Sequence, residues 1–488
     1  MTFDGPLIKK RSVKTKIIAT VGPASEDLSV IRRLAIEGVD LFRLNFAHGD
    51  ANWLETIVER IRQIEVELQR PIGILGDLCG PKIRLNELPG DLIHCNEGEV
   101  FEFARETDVD HPHRLTCTYE KLVDDLRVGD PILMADGTVS MVVTECYPEE
   151  GRVECIVELP GIIRSKQGIN LPGAILSTPS LTAKDHSDLA WAVSHEIDFV
   201  GLSFVRSAED ILLLRREINA FGDKSPPQIV AKIEKMEAVD DLDRILEATD
   251  AVMVARGDLG VEVDIAQVPV LQKRIINLCN QYRIPVITAT QMLDSMERSN
   301  RPTRAEATDV ANAVLDGSDA LMLSGETAIG QYPIDAVSTM SRIALEAERL
   351  VRTDADADRL SGPRTRALAM TEAVAAGAGA AAEHLNADWI VVATHSGKTA
   401  MAVSKQRRRV AILGLSDRVE TARCMCLYWG VTPMHTDVVH KQPQKIMKVV
   451  AEWGRRNLVI ASGDEIVLIA STNWSTPGHD LMLVHVVP

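Results

Sequence analysis

Short apolar runs alternate with amphipathic stretches along the front of the chain. The runs are Lys16–Val21, Val39–Asn45, Ile72–Asp77, Asp198–Ser203, Gln228–Ile233, Ala251–Val254, Pro285–Ala289 and Asp319–Leu323. Most are apolar at consecutive positions, the pattern of strands buried on both faces of a parallel sheet. Helix-length segments separate them. After the last run, Ile334–Arg349 follows Pro333 and carries its apolar residues at helical spacing. Eight strand–helix units in series predict a (β/α)8 TIM barrel.

The stretch between the third and fourth runs is far longer than a crossover helix needs. Within it Val100–Phe103, Arg114–Tyr119, Pro131–Cys146 and Arg152–Ile163 are β-prone and punctuated by Gly, Asp and Pro. They predict a β-barrel domain inserted after barrel strand 3, on the catalytic face, where it can close as a lid. The polar stretch Arg352–Arg366 reads as a linker. A helix (Ala367–His384) and strands at Trp389–Thr394, Val410–Leu415 and Val431–His435 follow it. With a closing pair at Glu465–Ala470 and Leu481–Val487, they predict a C-terminal α/β domain with an open sheet. The domain limits fall at 1-80 with 176-355 for the barrel, 81-175 for the inserted domain and 364-488 for the C-terminal domain.

Three units suit a chain of 488 residues, about three times a domain of ~150 residues. Acidic residues outnumber basic ones by 70 to 53, a net charge of -17. That argues against nucleic acid or an anionic membrane as the main partner, but not against a local basic pocket for a small anion. No apolar run reaches the ~20 residues of a membrane span. The basic Lys9-Lys10-Arg11 precedes only a short strand-like run, unlike a secretory signal. Eight cysteines are scattered without a C-x-x-C pair, as in a reducing compartment. A cytoplasmic protein is expected.

In a barrel, chemistry sits at the C-terminal strand ends, and the polar residues gather there. The second run ends Arg43-Leu44-Asn45, with Ala47 and His48 beyond; the third ends at Asp77, with Lys82 and Arg84 beyond. The fifth ends Lys232-Ile233-Glu234, whose i,i+2 spacing puts both side chains on one face. The sixth ends Arg256-Gly257-Asp258, the seventh Thr290-Gln291, the eighth Ser324-Gly325-Glu326-Thr327. Two carboxylates on neighbouring strands suit Mg²⁺ or Mn²⁺. A lysine and two arginines around them describe a site for a phosphoryl or carboxylate anion. Singly, a Lys-x-Glu is an ordinary surface pair and a Gly-Asp an ordinary turn; their joint placement at strand ends marks the site. Ser396-Gly397-Lys398-Thr399 imitates the end of a P-loop, but Val392 stands where that motif needs glycine.

The chain resembles the pyruvate kinase family. The stretches that carry the resemblance are Thr15–Ser25 (TKIIATVGPAS), Arg43–Gly49 (RLNFAHG), Gly168–Gly173 (GINLPG), Ala231–Glu237 (AKIEKME), Met253–Val261 (MVARGDLGV), Thr288–Leu293 (TATQML), Arg301–Asp316 and Met322–Ala328 (MLSGETA). They span the barrel and the inserted domain. In the C-terminal domain the likeness is weaker, around Thr394–Thr399 and Leu427–Pro433.

The resemblance implies phosphoryl transfer from phosphoenolpyruvate to ADP, giving pyruvate and ATP, the last step of glycolysis. By it, Glu234 and Asp258 hold the Mg²⁺ (or Mn²⁺), and Lys232 stabilises charge on the transferring group. Arg43 clamps the phosphate. Gly257 and Thr290 meet the carboxylate end, with Thr290 also on the proton path to the enolate. Asn45, His48 and Arg84 meet the nucleotide. A homotetramer is implied. So is an effector loop of Thr394, Ser396, Gly397, Lys398 and Thr399 for a sugar phosphate or AMP, which reads equally as a helix-capping turn.

Three positions depart from the K⁺-dependent pattern of the family. Ala47 and Leu78 stand for Ser and Thr ligands, leaving Asn45 and Asp77 as a remnant, and Lys82 stands for Glu. K⁺ is therefore expected not to be required, with the Lys82 ammonium near Asp77 in its place. Lys166 is followed by Gln167 where many members have a second Lys. Two rival readings are another phosphoenolpyruvate-binding barrel enzyme, such as a lyase, and a non-catalytic metabolite-binding regulator.

Overall fold

The computed structural model describes residues 13–106, 111, 113–174, 177–222, 225–351, 366–474 and 478–488. Lys9–Arg11, residues 352–365 of the expected linker and the limits at 175, 176, 355 and 364 lie outside the described residues.

The eight apolar runs form strands, and these close a parallel barrel. In chain order β1 is Lys16–Thr20, β2 Leu41–Asn45 and β3 Gly73–Asp77. The inserted segment supplies β4 (Leu92–Cys95), β5 (Val100–Ala104), β6 (Arg114–Leu115), β7 (Pro131–Met134), β8 (Val139–Tyr147), β9 (Arg152–Leu159), β10 (Gly161–Arg164) and β11 (Ile169–Asn170). The barrel resumes with β12 (Phe199–Leu202), β13 (Gln228–Ile233), β14 (Ala251–Ala255), β15 (Val286–Ala289) and β16 (Ala320–Leu323), in the order β1-β16-β15-β14-β13-β12-β3-β2. Alternate residues divide between two cores. Ile17, Phe42, Ile74, Val200 and Ile229 pack outward with helix residues such as Ile31, Ile57 and Leu214. Ile18, Leu41, Leu75, Phe199, Val230 and Met253 fill the interior. The same parity sends Arg43, Asp77 and Lys232 inward at the upper rim.

The expected β domain follows barrel strand 3 and is a half-barrel. Its strands form a six-stranded sheet, β11-β7-β8-β9-β5-β6, and a separate pair, β10-β4. The two edge strands, β6 and β11, are two residues each. Two expected strands are each split. Ala135, Asp136 and Gly137 take φ values of 52°, 54° and 83°, turning β7 back into β8, and Pro160 separates β9 from β10.

In the C-terminal domain, helix Arg366–Leu385 leads into β17 (Trp389–Ala393), β18 (Ala411–Ser416), β19 (Val431–His435), β20 (Glu465–Ala470) and β21 (Leu481–Val486). The sheet order is β19-β18-β17-β20-β21, parallel except for β21. This domain seals the barrel floor. Met425, Leu427 and Tyr428 join the interior core, and Lys16 Nζ donates to Val431 O at 2.5 Å. No helix of the described residues is long and apolar enough to cross a membrane.

Candidate active site

Lys232 is the last inward residue of β13, and Glu234 continues its parity at the mouth; both are buried. Lys232 Nζ donates to Glu234 Oε1 at 2.9 Å and Ser203 Oγ at 2.6 Å, and lies 3.4 Å from Asp77 Oδ1. Burial opposes its charge, but Asp77 and Glu234 outweigh that and raise the ammonium above its ordinary value. It stays charged. Glu234 Oε2 accepts from the Phe204 N–H at 2.6 Å. Burial pushes the Glu234 carboxyl up, Lys232 draws it down, and Asp258 pushes it up again.

Arg43 is held from two sides. Its Nε and Nη2 reach Asp77 Oδ2 at 2.8 and 2.6 Å, and Nη1 donates to Thr20 Oγ1 at 3.2 Å. Burial favours a neutral Asp77, yet Lys232 and Arg43 together hold its carboxyl below the ordinary range. Gly201 pairs with Asp77 across β12 and β3, and a Cβ there would stand 2.8 Å from Asp77 Oδ1. Glycine makes the room for this carboxylate.

Asp258 lies in the first turn of helix Arg256–Glu262, which begins where β14 ends. The Gly257 N–H donates to Thr290 Oγ1 at 2.8 Å, and that hydroxyl donates to Ala289 O at 2.6 Å. Thr290 and Gln291 take φ values of 66° and 53°, a costly conformation for a β-branched residue. Neighbours fix it. Arg256 Nη2 donates to Thr290 O at 2.8 Å while its Nη1 pairs with Asp309. Glu326 accepts from Leu293 N at 3.0 Å and Ser324 N at 2.7 Å, tying the β15 loop to the β16 end.

Glu234 and Asp258 fit a hard divalent cation. They are oxygen donors on adjacent strand ends, close enough for Asp258 to raise the Glu234 carboxyl, and a bound Mg²⁺ or Mn²⁺ would relieve that repulsion.

Lys82 differs from expectation. Its Nζ stands 3.7 Å from Asp258 Oδ1, so its ion pair is with Asp258 and not with Asp77. Asp77 already faces Arg43 and Lys232, which leaves little need for a third cation. Leu78 turns into the helix-side core, and its carbonyl accepts from Ser203 Oγ at 2.7 Å.

The residues expected to meet the nucleotide lie on the rim. Asn45 Oδ1 accepts from Ala47 N at 3.1 Å, His48 is exposed, and Arg84 Nη1 donates to Lys166 O at 3.0 Å. Lys166 takes a φ of 62° and pairs with Glu87 at 3.0 Å. A pocket between the inserted domain and the barrel is lined among others by Lys82, Asn170, Arg206 and a Lys235–Glu262 pair 3.0 Å apart. Sequence reasoning passed over Ser203 and the Lys235–Glu262 pair. Ser203 closes the fourth run at the parity of Phe199 and Gly201, a signal that was available. The partner of Lys235 was not, since Glu262 lies on the next unit.

In the loop after β17, Thr394, Gly397 and Thr399 are buried, while Ser396 and Lys398 are exposed. Both threonine hydroxyls are engaged within the protein. Thr394 Oγ1 accepts from Gly397 N at 3.1 Å, and Thr399 Oγ1 meets His479 Nδ1 at 2.7 Å. The following helix, Lys398–Ser404, has seven residues.

The sequence matches two family models, "Pyruvate kinase, barrel domain" over residues 12–337 and "Pyruvate kinase, alpha/beta domain" over 372–485. It is 40% identical over 476 residues to pyruvate kinase of Geobacillus stearothermophilus, spanning 97% of this chain and 80% of that relative. It is 41% identical over 479 residues to pyruvate kinase 2 of Synechocystis, spanning 97% and 79%. The crystal structure of a pyruvate kinase from Cryptosporidium parvum superposes with a TM-score of 0.91 at 33% identity, covering 99% of this chain and 98% of that one. Matches to both family models, near-complete alignment with these enzymes and a barrel mouth built from Arg43, Lys232, Glu234 and Asp258 lead to one conclusion: the chain belongs to the pyruvate kinase family.

Proposed function

We propose a division of labour among the residues at the barrel mouth. As a member of its family, the chain transfers the phosphoryl group of phosphoenolpyruvate to ADP, giving pyruvate and ATP in glycolysis, and uses a divalent metal ion. In the proposed scheme Glu234 and Asp258 hold that ion, Mg²⁺ or Mn²⁺, which when bound neutralises phosphoryl and carboxylate charge. Lys232 offers a fixed ammonium to the transferring group, whose loose transition state spreads charge over three oxygens. Arg43, locked in direction by Asp77 and Thr20, clamps the phosphate. The Gly257 N–H and Thr290 hydroxyl receive the carboxylate end. As the enolate forms, the Thr290 hydroxyl is the proton donor's link to carbon. Asn45, His48 and Arg84 meet ADP on the rim of the barrel mouth.

The observation that carries this reading is the Lys232–Glu234 pair, 2.9 Å apart and buried beside Arg43 and Asp77. A coupled assay for ADP-dependent pyruvate formation tests it. Wild type should turn over with Mg²⁺, and Arg43→Ala should raise KM for phosphoenolpyruvate and lower kcat. Unchanged kinetics in that variant overturns the role of Arg43.

The finer attributes belong to the same proposal. The enzyme is cytoplasmic, works as a homotetramer and divides at 1-80 with 176-355, 81-175 and 364-488. Ser396, Lys398 and the backbone of their loop receive a sugar phosphate or AMP. Exposure of these two side chains supports that binding mode, with Thr394 and Thr399 shaping the loop from within. Titration of sugar phosphates and AMP at subsaturating phosphoenolpyruvate tests it, and a shift that survives Ser396→Ala with Lys398→Ala overturns it. K⁺ is not required; its test is argued below.

A further inference from the structure

His395, Asp417 and His440 come from three separate loops yet converge on one point. His395 follows β17, Asp417 follows β18, and His440 ends the single turn after β19. These strands are neighbours in the sheet, so the three residues sit at adjacent C-terminal ends of a parallel open sheet, the edge where such folds bind ligands. His395 Nδ1 lies 2.8 Å from Asp417 Oδ1, and His440 Nε2 lies 2.6 Å from Asp417 Oδ2. One ligating atom from each falls within 4.8 Å of the other two.

We propose that His395, Asp417 and His440 form a binding site for a borderline divalent cation of the Zn²⁺ type, separate from the catalytic metal. Two imidazoles and one carboxylate are a usual Zn²⁺ donor set, leaving one position for water or an oxygen ligand. Mg²⁺, which takes oxygen ligands, does not compete well for it. Bond lengths of about 2.0–2.1 Å in a tetrahedral site separate neighbouring donor atoms by about 3.3 Å. The observed N···O separations are shorter, so the side chains must open by roughly half an ångström. Histidine side chains 54% and 46% exposed have that freedom, while Asp417, at 14%, stays as the anchor.

Outer contacts hold the ligands in place, as metal sites require. Thr421 Oγ1 donates to the His395 carbonyl at 3.0 Å, and the His440 ring meets Trp474 edge to face at 5.3 Å between centroids. In the metal-free state each imidazole directs a ring N–H at Asp417. When Zn²⁺ takes the place of those N–H groups, each neutral imidazole carries its proton on the other ring nitrogen. The site adjoins the loop of Ser396 and Lys398, and its occupation ties that loop to the ends of β18 and β19.

The test is Zn²⁺ binding to the full-length protein by equilibrium dialysis, with excess Mg²⁺ keeping the catalytic carboxylates occupied. Wild type should bind one equivalent more than the His395→Ala/His440→Ala variant, and Asp417→Asn should weaken that equivalent by well over an order of magnitude. Co²⁺ in the wild-type site should give the visible absorption of a four-coordinate ion, and the double variant should lack it. Mg²⁺-dependent turnover of the double variant should match wild type, showing that it folds. Equal Zn²⁺ stoichiometry in wild type and double variant overturns the proposal, as does the absence of any Zn²⁺ bound to wild type under excess Mg²⁺.

Discussion

Lys82 and Asp258 face each other across the barrel mouth at 3.7 Å, one on the chain leaving β3 and the other on the helix after β14. The ammonium thus stands beside a proposed metal ligand, while Asp77 is balanced by Arg43 and Lys232. Ala47 and Leu78 supply no side-chain oxygen to a monovalent cation, and Asn45 Oδ1 is already engaged by the Ala47 N–H. These contacts support the proposal that K⁺ is not required. Rates should be similar in K⁺, Na⁺ or a bulky organic cation at matched ionic strength. Lys82→Glu would add a third carboxylate beside Asp258 and Glu234, and should acquire K⁺ dependence. A wild-type rate that rises tenfold on adding K⁺ alone, about 1.4 kcal/mol of barrier, refutes this account.

Lys232 has a structural task besides its proposed chemical one. It is the shared cation of Asp77 and Glu234, all three buried. Lys232→Met should lower kcat by roughly 10²–10³-fold or more, the scale of losing a preorganised charge in a dry site. It should also lower Tm, because Glu234 loses its partner. Lys232→Met/Glu234→Gln should recover much of the Tm and none of the turnover. Near-normal kcat in the single variant, assayed well below its Tm, would remove Lys232 from the chemistry.

The barrel was legible because its strands are apolar on both faces, a pattern with few other solutions. Lys232 and Glu234 were legible because side-chain direction on a strand follows from parity alone. Pairings across units were not. Nothing in local sequence says that Lys82 chooses Asp258 over Asp77, since the choice depends on where two loops end in space. The inward turn of Thr399 depends on His479, which arrives from the last segment of the chain. The strand limits inside the inserted domain were harder to read for another reason. Its strands are short and one-sided, so Ala135-Asp136-Gly137 and Pro160 set the breaks, and the exposed β4 lacks a clear alternation.

Lys14 gives a pH signature. Its Nζ donates to the carbonyls of Arg408 and Arg409, at 2.8 and 2.5 Å, joining the barrel's first segment to the C-terminal domain. Burial lowers its pKa from 10.5 to about 8, with Glu348 opposing in part. Below pH 8 both states carry the proton, and the folded state bears the full cost of a buried ammonium. Between pH 8 and 10.5 the unfolded chain binds more protons than the folded one, so stability rises with pH. Relative to Lys14→Met, wild type should gain by roughly 3 kcal/mol at most from neutral pH to pH 10.5. A Tm difference between the two proteins that stays flat, or moves against wild type, contradicts this.

At the opposite end from the chemistry, Lys405 of the C-terminal domain reaches Asp319 at 2.6 Å, with both side chains fully buried. Asp319 also pairs with Arg407 at 2.9 Å and accepts from the Val286 N–H at 2.8 Å. The two partners are therefore unequal. Lys405→Met leaves Asp319 with a cation and a backbone donor. Asp319→Asn leaves Lys405 and Arg407 as buried cations facing a neutral amide, with Asn280 Oδ1 as the remaining acceptor of Lys405. Breaking a buried pair in this way costs about 3–5 kcal/mol, so Asp319→Asn should lower Tm more than Lys405→Met. Burial already lowers the Lys405 pKa while Asp319 raises it. Without Asp319 the lysine should lose its proton more readily, and the Asp319→Asn defect should shrink as pH rises, while the Lys405→Met defect should not. Since the pair lies at the barrel floor, kcat measured well below Tm should stay near wild type in both variants. If Asp319→Asn proves the milder change, or its defect is independent of pH, the shared carboxylate is not what holds the two domains together.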